Sequence, residues 1–197
     1  MKRYASLLLL ALSMVMLAPI AKAVPVTFFT TLSGANEVPP TGSPGIGSAV
    51  VTIDVAANFM EVLVTFSGLG SPTIAAHIHC CGPIGTNQMV ATTVPFFPLF
   101  PIGVTSGTYD HIFNMADAGS YNPAFITAHG GTVASAEAAF FAGMLAGQTY
   151  LNIHTVQFGG GEIRGQLRIP EPATLALVAG GLLLIGFMRR RAIAPRH

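Results

Sequence analysis

Between residues 26 and 169 apolar and polar positions alternate in short runs, separated by clusters of Gly, Pro, Asn and Ser. In FMEVLVTFSGL, Met60, Val62, Val64 and Phe66 alternate with Glu61, Leu63 and Thr65, the two-residue period of a strand with one buried face. Similar runs predict strands over Val26 to Leu32, Ser48 to Val55, Thr73 to His79, Met89 to Val94 and Gly107 to Phe113, and over TYLNIHTV and GEIRGQLRI, which QFGGG joins. GANEVPPTGSPG reads as a turn-rich loop, and the three prolines of VPFFPLFPIG deny it a regular ladder. That second loop either shows Phe96, Phe97 and Phe100 to a partner or folds back over the core. The pattern turns helical in SAEAAFFAGMLAG, where Ser135 suits the cap, Glu137 the first turn and Gly147 the stop. Its stripe of Phe140, Phe141, Met144 and Leu145 reads as core packing, and NPAFITAHGG adds a helical turn. Seven or eight strands and one short helix predict an all-β fold, an antiparallel sandwich or barrel, without internal repeats.

The two ends follow other rules. Lys2 and Arg3, an apolar run from Leu7 to Ile20, and Ala21-Lys22-Ala23 read as a secretory signal peptide over residues 1–23, with Ala21 and Ala23 marking the cleavage site. The mature chain then starts at Val24. At the other end, an apolar helix from Ala173 to Met188 closes on Arg189, Arg190 and Arg191. It is shorter than the roughly 20 residues of a comfortable span, but its arginines can snorkel on the cytoplasmic side, so it reads as a transmembrane helix before a cytoplasmic tail, 192–197. Residues 24–169 are left as one domain.

The formal charge of +1 hides an acidic domain. Within residues 24–169, Glu37, Asp54, Glu61, Asp110, Asp117, Glu137 and Glu162 oppose Arg164 and Arg168, seven against two, a net of −5 with no lysine. Without clustered cations to neutralise phosphates, nucleic acid is excluded as a partner, as is a polybasic lipid-binding face. G-x-S-x-G, H-E-x-x-H and Gly-rich phosphate loops are absent from the sequence, so nothing points to an enzyme working without metal. Glu162 and Arg164, two apart, are placed to pair on one strand face.

The chemistry is concentrated in AAHIHCCGP. Strand alternation puts His77 and His79 on one face and Ala76 and Ile78 on the other; further on, Asn152 and His154 share a face opposite Leu151 and Ile153. With the apolar sets in the core, all three histidines lie outside the sheet. H-x-H on one strand with a third histidine from another can hold copper or zinc. The same residues equally suit hydrogen bonding beneath loops. Cys80 and Cys81 leave three readings open: Cys81 as an added soft ligand, a readily reduced Cys80–Cys81 pair, or two small buried thiols.

Three stretches of the chain resemble known families. Pro170-Glu171-Pro172, the apolar helix and Arg189 to Arg191 resemble the PEP-CTERM sorting signal over residues 170–191. That resemblance implies handling by an exosortase, transient anchoring in the inner membrane of a Gram-negative bacterium, and delivery to the envelope, the cell surface or an exopolysaccharide matrix. LSGANEVPP, AAHIH, and YLNIHT followed by GGGEIRGQL resemble, in that order, the CHRD domain, named after chordin. This implies an exported binding or structural protein with a polysaccharide or protein ligand. The histidine pattern also resembles the copper site of Cu/Zn superoxide dismutases, with Arg164 near the position of their substrate-guiding arginine. No bridging histidine or zinc loop is present, and His111 and His129 lack the expected neighbours. The expected fold is thus superoxide-dismutase-like or immunoglobulin-like, and the alternative function is that of a copper- or zinc-binding redox protein.

Overall fold

The computed structural model describes residues 24–170. Its strands are β1 (Val26–Ser33), β2 (Ile46–Asp54), β3 (Phe59–Ser67), β4 (Thr73–His79), β5 (Gly107–Asn114), β6 (Tyr150–Thr155) and β7 (Ile163–Gln166), with helices α1 (Pro123–Ala128) and α2 (Val133–Leu145) between β5 and β6. The signal peptide, the apolar C-terminal helix, Glu171, Pro172, the arginine cluster and the tail expected from sequence all lie outside the described residues. Among the described residues no helix is long and apolar enough to cross a membrane.

All seven strands form one antiparallel sheet in the order β4-β6-β7-β1-β2-β3-β5. The sheet curls into a half-barrel, so the antiparallel β expectation holds, while helices and loops take the place of a second packed sheet. The β2–β3 hairpin follows from local chemistry: Asp54 Oδ1 accepts from the amides of Ala56 and Ala57, and Asn58 adopts φ 52°, a conformation Asn tolerates. Phe28 and Leu32 on β1, Val51 and Ile53 on β2, and Met60, Val62 and Val64 on β3 fill the inner face.

The strand expected over Met89 to Val94 does not form: the segment makes only isolated bridges, at Val90 and Thr92. Its amides and carbonyls bond to Ile78 and Cys80, covering the outer edge of β4, which would otherwise be an open template for pairing. Beyond it the Pro/Phe loop folds back over the core. Phe97 is fully buried, stacked on Tyr109 at 5.5 Å and edge-on to Phe113 at 5.4 Å. Phe100 is buried too, whereas Phe96 and Leu99 face outward.

Helix α2 is capped by Thr132, whose hydroxyl accepts from the Ser135 amide while Ser135 Oγ accepts from the Thr132 amide. Ser135 is therefore the third helical residue of a capping box, not the cap. Gly147, at φ 68°, follows the C-terminus as expected. Phe140, Phe141 and Met144 enter the core, but Leu145 is 54% exposed; the stripe was drawn one residue too wide. The turn in NPAFITAHGG is a six-residue helix, α1, capped by the Asn122 side chain, so the domain has two α-helices.

Candidate functional site

Strand alternation and register assemble the site. Ala75 pairs with His154, His77 with Asn152, and His79 with Tyr150; Asn152 in turn pairs with Arg164. Paired residues share a face, so His77, His79, Tyr150, Asn152, His154 and Arg164 lie together opposite the core. The histidines are thus outside the sheet, as the alternation predicts, yet only 6, 7 and 8% exposed. Loops cover them, and those loops supply their hydrogen bonds.

Each imidazole faces a backbone carbonyl with one nitrogen: His77 Nε2 to Pro95 O at 2.9 Å, His79 Nδ1 to Gln88 O at 2.7 Å, and His154 Nδ1 to Gly159 O at 3.0 Å. A carbonyl only accepts, so in a neutral ring the proton sits on that nitrogen and the other carries a lone pair. The lone pairs then belong to His77 Nδ1, His79 Nε2 and His154 Nε2. The three rings each offer a ligand atom within 4.8 Å of the others, and His77 Nδ1 and His154 Nε2 are 3.2 Å apart. Nitrogens bound to zinc at about 2.0–2.1 Å in tetrahedral geometry are about 3.3–3.4 Å apart. Ring orientation by backbone carbonyls is how metal-binding histidines are held.

Electrostatics favours the state a metal requires. Burial, reinforced by the neighbouring His154, lowers His77 to about 4 against the pull of the Pro95 carbonyl. Burial also lowers His79 to about 4, opposed by the Gln88 carbonyl, and lowers His154. All three rings are neutral at pH 7, as ligation demands.

The surrounding shell is polar and buried. His79 stacks on Tyr150 with centroids 4.6 Å apart, and the Arg164 guanidinium carbon lies 3.4 Å from the centre of the Tyr150 ring. Arg164, 3% exposed, donates to Asn87 Oδ1 and Thr86 O, tying down the loop that carries Gln88. Glu37, 5% exposed, lies beside the Asn152 side chain; burial raises its carboxyl against the opposing pulls of Arg164 and Asn152, and its Oε1 has no hydrogen-bond partner. Gly161, at φ 126°, closes over this pair, and a Cβ there would run into Glu37 and Asn152 Nδ2.

Several sequence candidates go elsewhere. Cys80 and Cys81 are joined as a disulfide, with both sulfurs against α2 at Gly143, where a Cβ would collide with them. Neither sulfur joins the histidine group, so Cys81 is not brought in as a ligand and the pair is not two free thiols. The strand ends at His79, which removes the alternation that would have carried Cys81 to the histidine face. Glu162 does not pair with Arg164; it accepts from the Gly70 amide and the Thr155 hydroxyl at 2.6 Å each, and from Ser43 Oγ. His111 packs between Tyr109 and Phe113, and His129 bonds to Phe125 O, both on elements outside the histidine group. Pro170 is the last described residue.

The three motif segments of the sequence therefore converge: Glu37 comes from LSGANEVPP, His77 and His79 from AAHIH, and Asn152, His154 and Arg164 from the closing strands. Residues 28–167 match the CHRD domain family. The chain belongs to it. No curated protein and no solved structure matches the chain. In this CHRD domain sequence reasoning found the histidines but gave Glu37 no role and could not find Pro95, Gln88 and Gly159, whose contribution is a backbone carbonyl that carries no side-chain signal.

Proposed function

We propose that this CHRD domain is a metal-binding module that takes copper or zinc through His77, His79 and His154. One observation carries the reading: three separate carbonyls claim one nitrogen of each ring, and each ring offers a ligand atom within 4.8 Å of those of the other two. Buried hydrogen-bonding histidines alone would not need that convergence, which sets His77 Nδ1 and His154 Nε2 as two acceptors face to face at 3.2 Å. The donors are neutral nitrogens, a set suited to Cu(II) and Zn(II).

The purified chain, stripped with a chelator and reloaded with copper or zinc, is expected to hold near-stoichiometric metal by elemental analysis. A His77→Ala/His79→Ala/His154→Ala variant with unchanged circular dichroism is expected to hold none. Equal metal in both proteins, or none in either, sinks the reading.

We further propose that the module works as an exported binding or structural component of the bacterial envelope or polysaccharide matrix, sorted by an exosortase after transient membrane anchoring. The signal-like first 23 residues and the motif beginning at Pro170 support this. Replacing Pro170, Glu171 and Pro172 by alanine should leave the protein in the inner-membrane fraction; unaltered delivery to the surface would count against sorting by this motif.

A further inference from the structure

Asn152 is 1% exposed and sits at the middle of the site, across the ladder from His77 and two residues before His154. Its Oδ1 lies 3.1 Å from His79 Nε2. Because the His79 proton is drawn to Nδ1 by Gln88 O at 2.7 Å, a lone pair on Nε2 faces a carbonyl lone pair. Two acceptors at that distance repel, and buried unpaired acceptors are costly.

Turning the amide over would relieve the contact, but Glu37 opposes this. Glu37 Oε1 and Asn152 Nδ2 lie together beside Gly161, so a turned amide would set its oxygen, not its NH2 group, against the carboxyl oxygen, and the orientation with Oδ1 facing His79 is favoured. Gly161 closes on the same pair and leaves little room to rearrange. The result repeats the arrangement seen between His77 Nδ1 and His154 Nε2, again two acceptors about one ligand–ligand separation apart. One cation placed among the four atoms would satisfy both pairs.

We infer that Asn152 Oδ1 is a fourth protein ligand of the metal centre, held in place by Glu37 as a positioning residue. The inference rests on the trihistidine reading and deepens it. An amide oxygen is a harder donor than imidazole, so its presence shifts preference from Cu(I) towards Cu(II) and Zn(II). It also makes the protein the source of all four ligands. Catalytic zinc sites keep a coordination position for water or substrate, whereas closed four-ligand sites are structural; the centre therefore serves to hold an ion and stabilise the module, not to turn over a substrate.

The test uses the Cu(II)-loaded full chain, with affinity from competition against a chelator and coordination from electron paramagnetic resonance. Asn152→Ala is expected to weaken Cu(II) binding by at least about 10- to 100-fold, the range for losing a group that only supports a ligand, and to move the spectrum towards a different donor set. Glu37→Gln is expected to weaken binding less while keeping the wild-type spectral class. Azide added to the wild-type protein is expected to leave the spectrum unchanged, a measurement that needs no variant to fold. Wild-type binding with an unaltered spectrum and affinity in folded Asn152→Ala, or ready azide ligation in the wild type, removes Asn152 from the ligand set and leaves the trihistidine site standing. Failure of the wild type to bind copper or zinc removes both.

Discussion

Acidification offers a direct test of the buried histidine group. In the folded protein His77 and His79 are lowered from 6.5 to about 4, chiefly by burial. Between those values the unfolded chain binds protons that the folded chain refuses, so the stability they contribute is complete above pH 6.5 and is lost as pH falls towards 4. A shift of this size amounts to about 3 kcal/mol per ring in full, and to about 2 kcal/mol per ring by about pH 5. The two rings together then remove about 4 kcal/mol, a large share of the 5–15 kcal/mol typical of a domain. His154, lowered in the same direction, adds to the slope. Glu37 acts with the opposite sign: its raised carboxyl contributes stability below its unfolded value that is lost as pH rises through its folded value, so it offsets part of the histidine effect. The assay is urea unfolding of chelator-treated protein at about pH 7.5, about pH 6 and about pH 5, with histidine titration by NMR to separate the rings from Glu37. A stability that stays level across that range, or His77 and His79 rings that protonate at their ordinary value, would refute the reasoning.

Three further substitutions probe the shell and the Pro/Phe loop. Gly161→Ala combines a left-handed φ of 126° with a collision against Glu37 and Asn152; it should cost at least about 2 kcal/mol by urea midpoint, and a loss below about 0.5 kcal/mol would show that the wall yields freely. Phe97→Ala, at a fully buried ring stacked on Tyr109, should cost about 3–5 kcal/mol, while Leu99→Ala, 87% exposed on the same loop, should change stability by no more than about 0.5 kcal/mol. Similar losses at both positions would contradict the loop packing described above.

Strand positions were the most legible feature, because alternation is local. Val26–Ser33, Phe59–Ser67 and Thr73–His79 fall within a few residues of where the pattern places them. Met89 to Val94 misled because its β-branched composition suits an extended segment, and sequence does not reveal that this one wraps the edge of β4 instead of joining the sheet. The face carrying His77 and His79 was legible from the period of two; its burial was not. Polar residues opposite an apolar set usually meet water, and here the loops that shield them come from residues 86–95 and 157–161. Glu37 and Asn152 were hidden for a related reason: their meaning lies in the approach of two side chains from segments more than a hundred positions apart.

That separation also sets when the site can exist. His77 and His154 are 77 residues apart in the chain, and Glu37 precedes both. An emerging or unfolded polypeptide holds histidines but no common volume for their lone pairs, so specific capture of an ion must wait until β6 has docked between β4 and β7. An ion that binds only the finished fold lends it stability in proportion to the logarithm of its free concentration. The histidine group would thus couple the lifetime of the folded domain to the metal supply of its surroundings, with the late strands β6 and β7 as the last parts to arrive.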